Sequence, residues 1–254
     1  MLQIISPRSI FLAAVTTLAV PALITLGCGG DATERPAPEL QSAEPRPTTA
    51  PDTGASVRIV VLGDSIAAGL GLAEDAAFPA RVEASLRDLG HDVEVVNAGV
   101  SGDTSAGGLA RLDWVLQKPA AILVVELGGN DALRGHPLES TETNLTQIVS
   151  RGQQSGAEVI LLGMDVPTNY GPDYTAAFAE LYPRIAEDTG ATLVPGFVRE
   201  LGADPTLLQP DGLHPTAEGQ QRLADTLLPA LVEVIERRQE QERLFVDPVA
   251  GAAR

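Results

Sequence analysis

Three polar turns and one Asp-x-x-His pair hold the residue types needed to move an acyl group. In Asp211-Gly212-Leu213-His214-Pro215 a carboxylate stands three residues before one of only three histidines in the chain. A neutral imidazole moves protons near pH 7, and a carboxylate on its other ring nitrogen fixes the tautomer. The same pentapeptide also reads as a helix start, with Pro215 at an early helical position and His214 capping. Upstream, Gly63-Asp64-Ser65 offers a hydroxyl on a glycine turn, for which a helix N-cap is the plainer reading. Gly128-Gly129-Asn130-Asp131 offers an amide, which can donate to a developing oxyanion where a carboxylate could not. A simple Gly-Asn turn is the alternative there. Singly each signal is weak, but their joint occurrence in this order favours a catalytic set: Ser65 as nucleophile, His214 as base, Asp211 as its orienter.

The elements around these turns give them a common edge. Val57 to Leu62 is an apolar run broken only by Arg58, the pattern of a buried parallel strand. Further strands are expected over Val93–Val96, Ala120–Leu127, Val159–Leu162 and Thr192–Val194. Helical spacing marks Phe78–Leu89, Leu109–Leu116, Thr141–Gln154, Tyr174–Asp188 and Thr216 to about Glu240. Strands alternating with helices predict right-handed crossovers and an α/β sandwich, a five-stranded parallel sheet covered on both faces. Ligands of such sheets bind at the carboxyl ends of the strands. Ser65 follows the first expected strand, Asn97 to Ser105 the second, and Asn130 the third. The loop Asp131 to Leu138 and the segment Val166 to Tyr174 should flank the pocket, with Leu133, Pro167 and Tyr170 as candidate acyl-groove residues.

These blocks resemble the four signature blocks of the SGNH (GDSL) hydrolase superfamily, in order. Gly63-Asp64-Ser65 is similar to its nucleophile block, Gly102 falls on its oxyanion glycine, Asn130 on its asparagine, and Asp211 with His214 on its Asp-x-x-His. Within the superfamily the chain resembles the periplasmic acyl-CoA thioesterase I, lysophospholipase and arylesterase group. That likeness rests on Ser101–Ser105, Gly108–Leu112, Val125–Gly135, Asn169-Tyr170-Gly171 and Tyr182-Pro183, and it spans roughly Arg58 to Val234. Ile66 departs from it by standing where the motif has Leu. The resemblance implies a flavodoxin-like three-layer α/β/α fold and hydrolysis of a carboxylic ester or thioester without cofactor or metal. It implies an oxyanion hole made by the Ser65 and Gly102 N–H groups and the Asn130 amide.

Composition limits the partners. A formal net charge of −17 excludes nucleic acid and electrostatic docking on anionic lipid. Arg8 precedes an apolar run from Ile10 to Leu26 that is broken by Pro21 and followed by Gly27-Cys28. That predicts a signal peptide over 1–27 rather than a retained membrane helix. Cys28, the sole cysteine, resembles the lipidated cysteine of a bacterial lipobox, although Thr25 stands where Leu is usual. Export to the cell envelope is expected, with the membrane reached only through that anchor. Residues 28–56 have the Pro-, Ala- and Thr-rich composition of a disordered tether, 57–240 form the folded domain, and 241–254 are expected to be a tail. Among rival readings, a metal phosphoesterase needs histidine ligands that His91 and His136 do not supply. A non-catalytic binding lipoprotein predicts loss of a catalytic residue, and none is lost. A carbohydrate O-deacetylase or O-acyltransferase would keep the same set.

Overall fold

The computed structural model describes residues 56–166 and 168–246. The expected signal peptide, tether and Cys28 fall outside the described residues, as does Pro167.

Five strands form one all-parallel sheet in the order β2-β1-β3-β4-β5. They are β1 (Val57–Gly63), β2 (Val93–Gly99), β3 (Ile122–Glu126), β4 (Glu158–Leu162) and β5 (Thr192–Val194). β1 and β3 are central, and from Ile59 to Leu62 and Ile122 to Val125 their side chains are fully enclosed. That is why their sequences are continuous apolar runs rather than alternating ones. Among the described residues the α-helices are α1 (Phe78–Asp88), α2 (Ser105–Val115), α3 (Gly129–Leu133), α4 (Leu138–Gln154), α5 (Pro172–Thr189), α6 (Arg199–Ala203) and α7 (Ala217–Val246). The chain leaves β1 in one direction to β2, then steps the other way through β3, β4 and β5. Right-handed crossovers therefore put α1 on one face and α2, α4 and α5 on the other. In keeping with that, α1 packs against α7, and α4 against both α2 and α5. The reversal occurs between β1 and β3, and the crevice of such a sheet opens at the carboxyl ends there.

Several boundaries differ from the sequence expectation, each for a physical reason. β2 continues past Val96 to Gly99 because Asn97, Ala98 and Gly99 pair with Val61, Leu62 and Gly63 of β1. Pairing in the sheet overrides the weak strand preference of those three residues. α2 starts at Ser105 rather than Leu109, because the Thr104 side chain accepts from the Gly107 N–H and caps it. Gly107 and Gly108 dilute the apolar period that would have marked this turn. α7 runs on through Val246, past Glu240, as a polar helix carrying i,i+3 and i,i+4 ion pairs at Arg243–Glu240 and Arg237–Glu233. No described helix is long and apolar enough to cross a membrane.

Candidate active site

β1 ends in a run of tight turns rather than a helix. The Ala68 N–H donates to the Asp64 carbonyl, that of Leu70 to Ser65 and that of Gly69 to Ile66. Ser65 therefore sits on a turn and caps nothing. Its hydroxyl, on a residue 9% exposed, meets the His214 ring. His214 Nε2 lies 2.9 Å from Ser65 Oγ, and Nδ1 lies 2.7 Å from Asp211 Oδ2. Asp211 Oδ1 also accepts from the Leu213 and His214 N–H groups, at 2.9 and 3.0 Å. Those bonds hold its pKa down to about 2, the His214 ring contributing most and the two N–H groups next. An ionised carboxylate only accepts, so the imidazole proton lies on Nδ1 and Nε2 is free to accept from the serine hydroxyl.

The loop that presents His214 is built by backbone pairing. Leu208 and Pro215 form an antiparallel bridge, the Gln209 N–H donates to the His214 carbonyl at 2.7 Å, and the Thr216 N–H to Leu207. Thr216, not His214, caps α7, its Oγ1 accepting from the Gly219 N–H. Two glutamines lock this region onto the serine turn across the sequence. Gln209 Nε2 donates to the Leu70 carbonyl, and Gln220 Nε2 to that of Ile66 while its Oε1 accepts from the Phe78 N–H.

Asn130 stands on the first turn of α3, not in a simple Gly-Asn turn, and its Nδ2 donates to Asp64 Oδ2 at 2.8 Å. Asp64 Oδ1 accepts from the Ile66 N–H at 2.9 Å. Gly102 has φ +80, a left-handed conformation that glycine takes without cost, and its carbonyl accepts from Arg134 Nη2 at 2.7 Å. Among the described residues, the N–H groups of Asp64, Ile66, Ala67 and Ala68 all have protein acceptors, while those of Ser65 and Gly102 donate to none. Arg111 braces the same edge from α2, donating to the carbonyls of Gly63 and Ala98 and to Asp103.

Ser65, Gly102, Asn130 and His214 line one cavity of about 750 Å³. Much of the remaining wall is apolar, with Leu133, Met164, Val166, Val198, Leu201 and Leu213. Leu133 therefore lines the same cavity as Ser65 and His214. Tyr170 is not in the wall: its ring stacks on Tyr174, 5.8 Å between centroids, which draws it into an aromatic row running through Phe178 to Tyr182. Tyr170 precedes α5, and its partner Tyr174 stands on that helix; the spacing of four through Tyr174, Phe178 and Tyr182 was visible in the sequence as a helical one.

Sequence reasoning gave no role to Glu126, the last residue of β3. It is completely buried, and its Oε2 accepts from the Asp64 and Ala67 N–H groups at 3.0 and 3.3 Å. Burial, with the Asp64 carboxyl beside it, pushes its pKa well above the usual carboxylate range. Burial also raises Asp64, against the lowering effect of the Ile66 N–H and the Asn130 amide. A lone carboxylate ending a strand that is otherwise Ile-Leu-Val-Val was the available signal, since buried Glu is rare without a partner.

Residues 61–222 match the GDSL-like Lipase/Acylhydrolase family. The chain is 44% identical over 179 residues to Esterase TesA of Pseudomonas aeruginosa, covering 70% of this chain and 89% of that protein. It is 38% identical over 178 residues to Thioesterase 1/protease 1/lysophospholipase L1 of Escherichia coli strain K12, covering 70% and 84%. Among solved structures, that of TesA superposes with a TM-score of 0.68 at 42% identity, covering 70% of this chain and 99% of that one. The psychrotrophic esterase EstA from Pseudoalteromonas sp., solved inhibited by monoethylphosphonate, gives 0.68 at 33%, covering 71% and 100%. The chain belongs to the GDSL-like lipase/acylhydrolase family and is a hydrolase of the esterase type.

Proposed function

We propose that this esterase cleaves carboxylic esters or thioesters of apolar acyl groups through an acyl-enzyme formed on Ser65. The observation that carries the reading is the continuous relay from Asp211 through His214 to Ser65, ending beside two N–H groups with no protein acceptor. Ser65 Oγ attacks the acyl carbon while His214 Nε2 takes its proton. Asp211 holds the imidazole and stabilises the imidazolium. The Ser65 and Gly102 N–H groups and the second Asn130 N–H face the oxyanion, and His214 returns its proton to the leaving alcohol or thiol. Water then repeats the attack on the acyl-enzyme. The apolar cavity wall supports an acyl chain over a sugar ester, and the names of the relatives, Arylesterase and Thioesterase 1/protease 1/lysophospholipase L1 among them, accord with that class.

A fluorophosphonate probe should label Ser65 and nothing in Ser65→Ala, and that variant should lose p-nitrophenyl ester turnover. Retained turnover in folded Ser65→Ala refutes the assignment. A chain-length series from acetyl to palmitoyl with an acyl-CoA alongside reads the acyl preference. The Arg8 to Gly27 pattern supports export, and Cys28 supports a lipid anchor; mass spectrometry finding an unmodified mature N-terminus downstream of Cys28 would remove the anchor.

A further inference from the structure

Glu126 presents a problem that the reaction scheme leaves open. Its side chain is fully buried at the carboxyl end of β3, directly beneath the serine turn, where Gly63 pairs with it in the sheet register. Oε2 is satisfied by two N–H groups of that turn, but Oε1 is buried and has no donor. Among the described residues no arginine, lysine or histidine donates to either oxygen. The charged and titratable groups around it are few. Asp64 faces it from the serine turn. Tyr182 of α5 faces it too, but spends its hydroxyl on the Leu127 carbonyl, and Arg111 spends its own N–H groups on Gly63, Ala98 and Asp103. A buried carboxylate with one empty oxygen and no cation is among the costliest arrangements in a protein interior. A carboxylic acid in the same place is not, because its hydroxyl becomes a donor. The acceptor at hand is the Asp64 carboxylate.

We propose that Glu126 is a positioning residue that works as a neutral acid. Its carbonyl oxygen receives the Asp64 and Ala67 N–H groups, and its hydroxyl donates to the Asp64 carboxylate. Asp64, kept ionised as the shared acceptor, takes one N–H of Asn130 at 2.8 Å. That bond orients the Asn130 amide so that nitrogen, not oxygen, lies on the cavity side, with its second N–H available to the oxyanion. One proton thereby sets both the position of the nucleophile turn and the polarity of the oxyanion hole. The raised protonation of Glu126 by burial agrees with this division of the proton.

The inference rests on the catalytic reading of Ser65 and Asn130, and three measurements keep the two apart. Infrared difference spectroscopy at neutral pH should show a protonated-carboxyl carbonyl band in the wild type that E126Q lacks; its absence from the wild type overturns the neutral acid whatever Ser65 does. E126Q, whose amide both accepts and donates in place of the acid, should keep kcat within about threefold, while folded E126L should lose on the order of 10² in kcat with KM little changed, the scale of a misplaced catalytic group. E126Q falling as far as E126L overturns the proposal, and so does wild-type kcat in folded E126L. Should E126L fail to fold, the band and the E126Q rate decide alone. Turnover surviving in Ser65→Ala would instead sink the catalytic reading and leave the band untouched.

Discussion

His214 has one nitrogen on a carboxylate and the other on a hydroxyl, so its usefulness depends on Asp211 staying charged. The Asp211 pKa lies at about 2, below its ordinary 3.8. A carboxyl lowered on folding contributes stability that is present above the unfolded value and fades as pH falls through the folded one. The Tm gap between wild type and Asp211→Asn should therefore be full at neutral pH, shrink below pH 3.8 and close near pH 2. Thermal scans across that range check it, and a gap that stays constant with pH counts against the assignment. In turnover, Asp211→Asn should lose about 10⁴ in kcat, as expected when the imidazole tautomer is no longer held. The residue types and the Asp-x-x-His spacing were plain in the sequence. That Thr216 and not His214 caps α7 was not, since both precede the helix and only the backbone path separates them.

At the scale of elements, the close fit between β1, β3 and the serine turn limits what can change. A Cβ at Gly63 would stand 2.5 Å from that of Ala67 and 2.6 Å from Glu126 Oε2. Gly63→Ala should cost about 1–3 kcal/mol in urea unfolding, the usual scale of overpacking. It should also lower kcat, because relief of the clash must move the turn that carries Ser65. Unchanged stability would mean that the turn is looser than its contacts imply. The strands β1, β3 and β4 could be read from apolar runs because both faces of each are covered. The end of β2, the start of α2 and the short α3 could not, because pairing, a Thr104 cap and a two-glycine turn decide them. Tyr170 differs: it was read as part of the pocket loop, whereas its ring stacks on Tyr174 of α5, four residues on.

For the molecule as a whole, 34 acidic against 17 basic side chains leave the folded state repelling itself. Tm should rise as salt goes from about 10 mM to about 150 mM, where the screening length falls from about 30 Å to about 8 Å. Equal Tm values at the two salt concentrations would show that the acidic excess is too dispersed to matter. The sequence by itself determined the alternation of strands and helices, hence the parallel sheet, and the order of the polar turns that follow its strands. Those follow from local physics, from the period of apolar residues and the chemistry of glycine turns. Only the tertiary structure decided that His214 reaches Ser65 across 149 residues, that Gln209 and Gln220 lock the two loops together, and that a buried Glu126 lies beneath them. Such contacts join groups far apart in the chain, and no spacing along a sequence encodes a distance that the sheet order and two packed helix layers set.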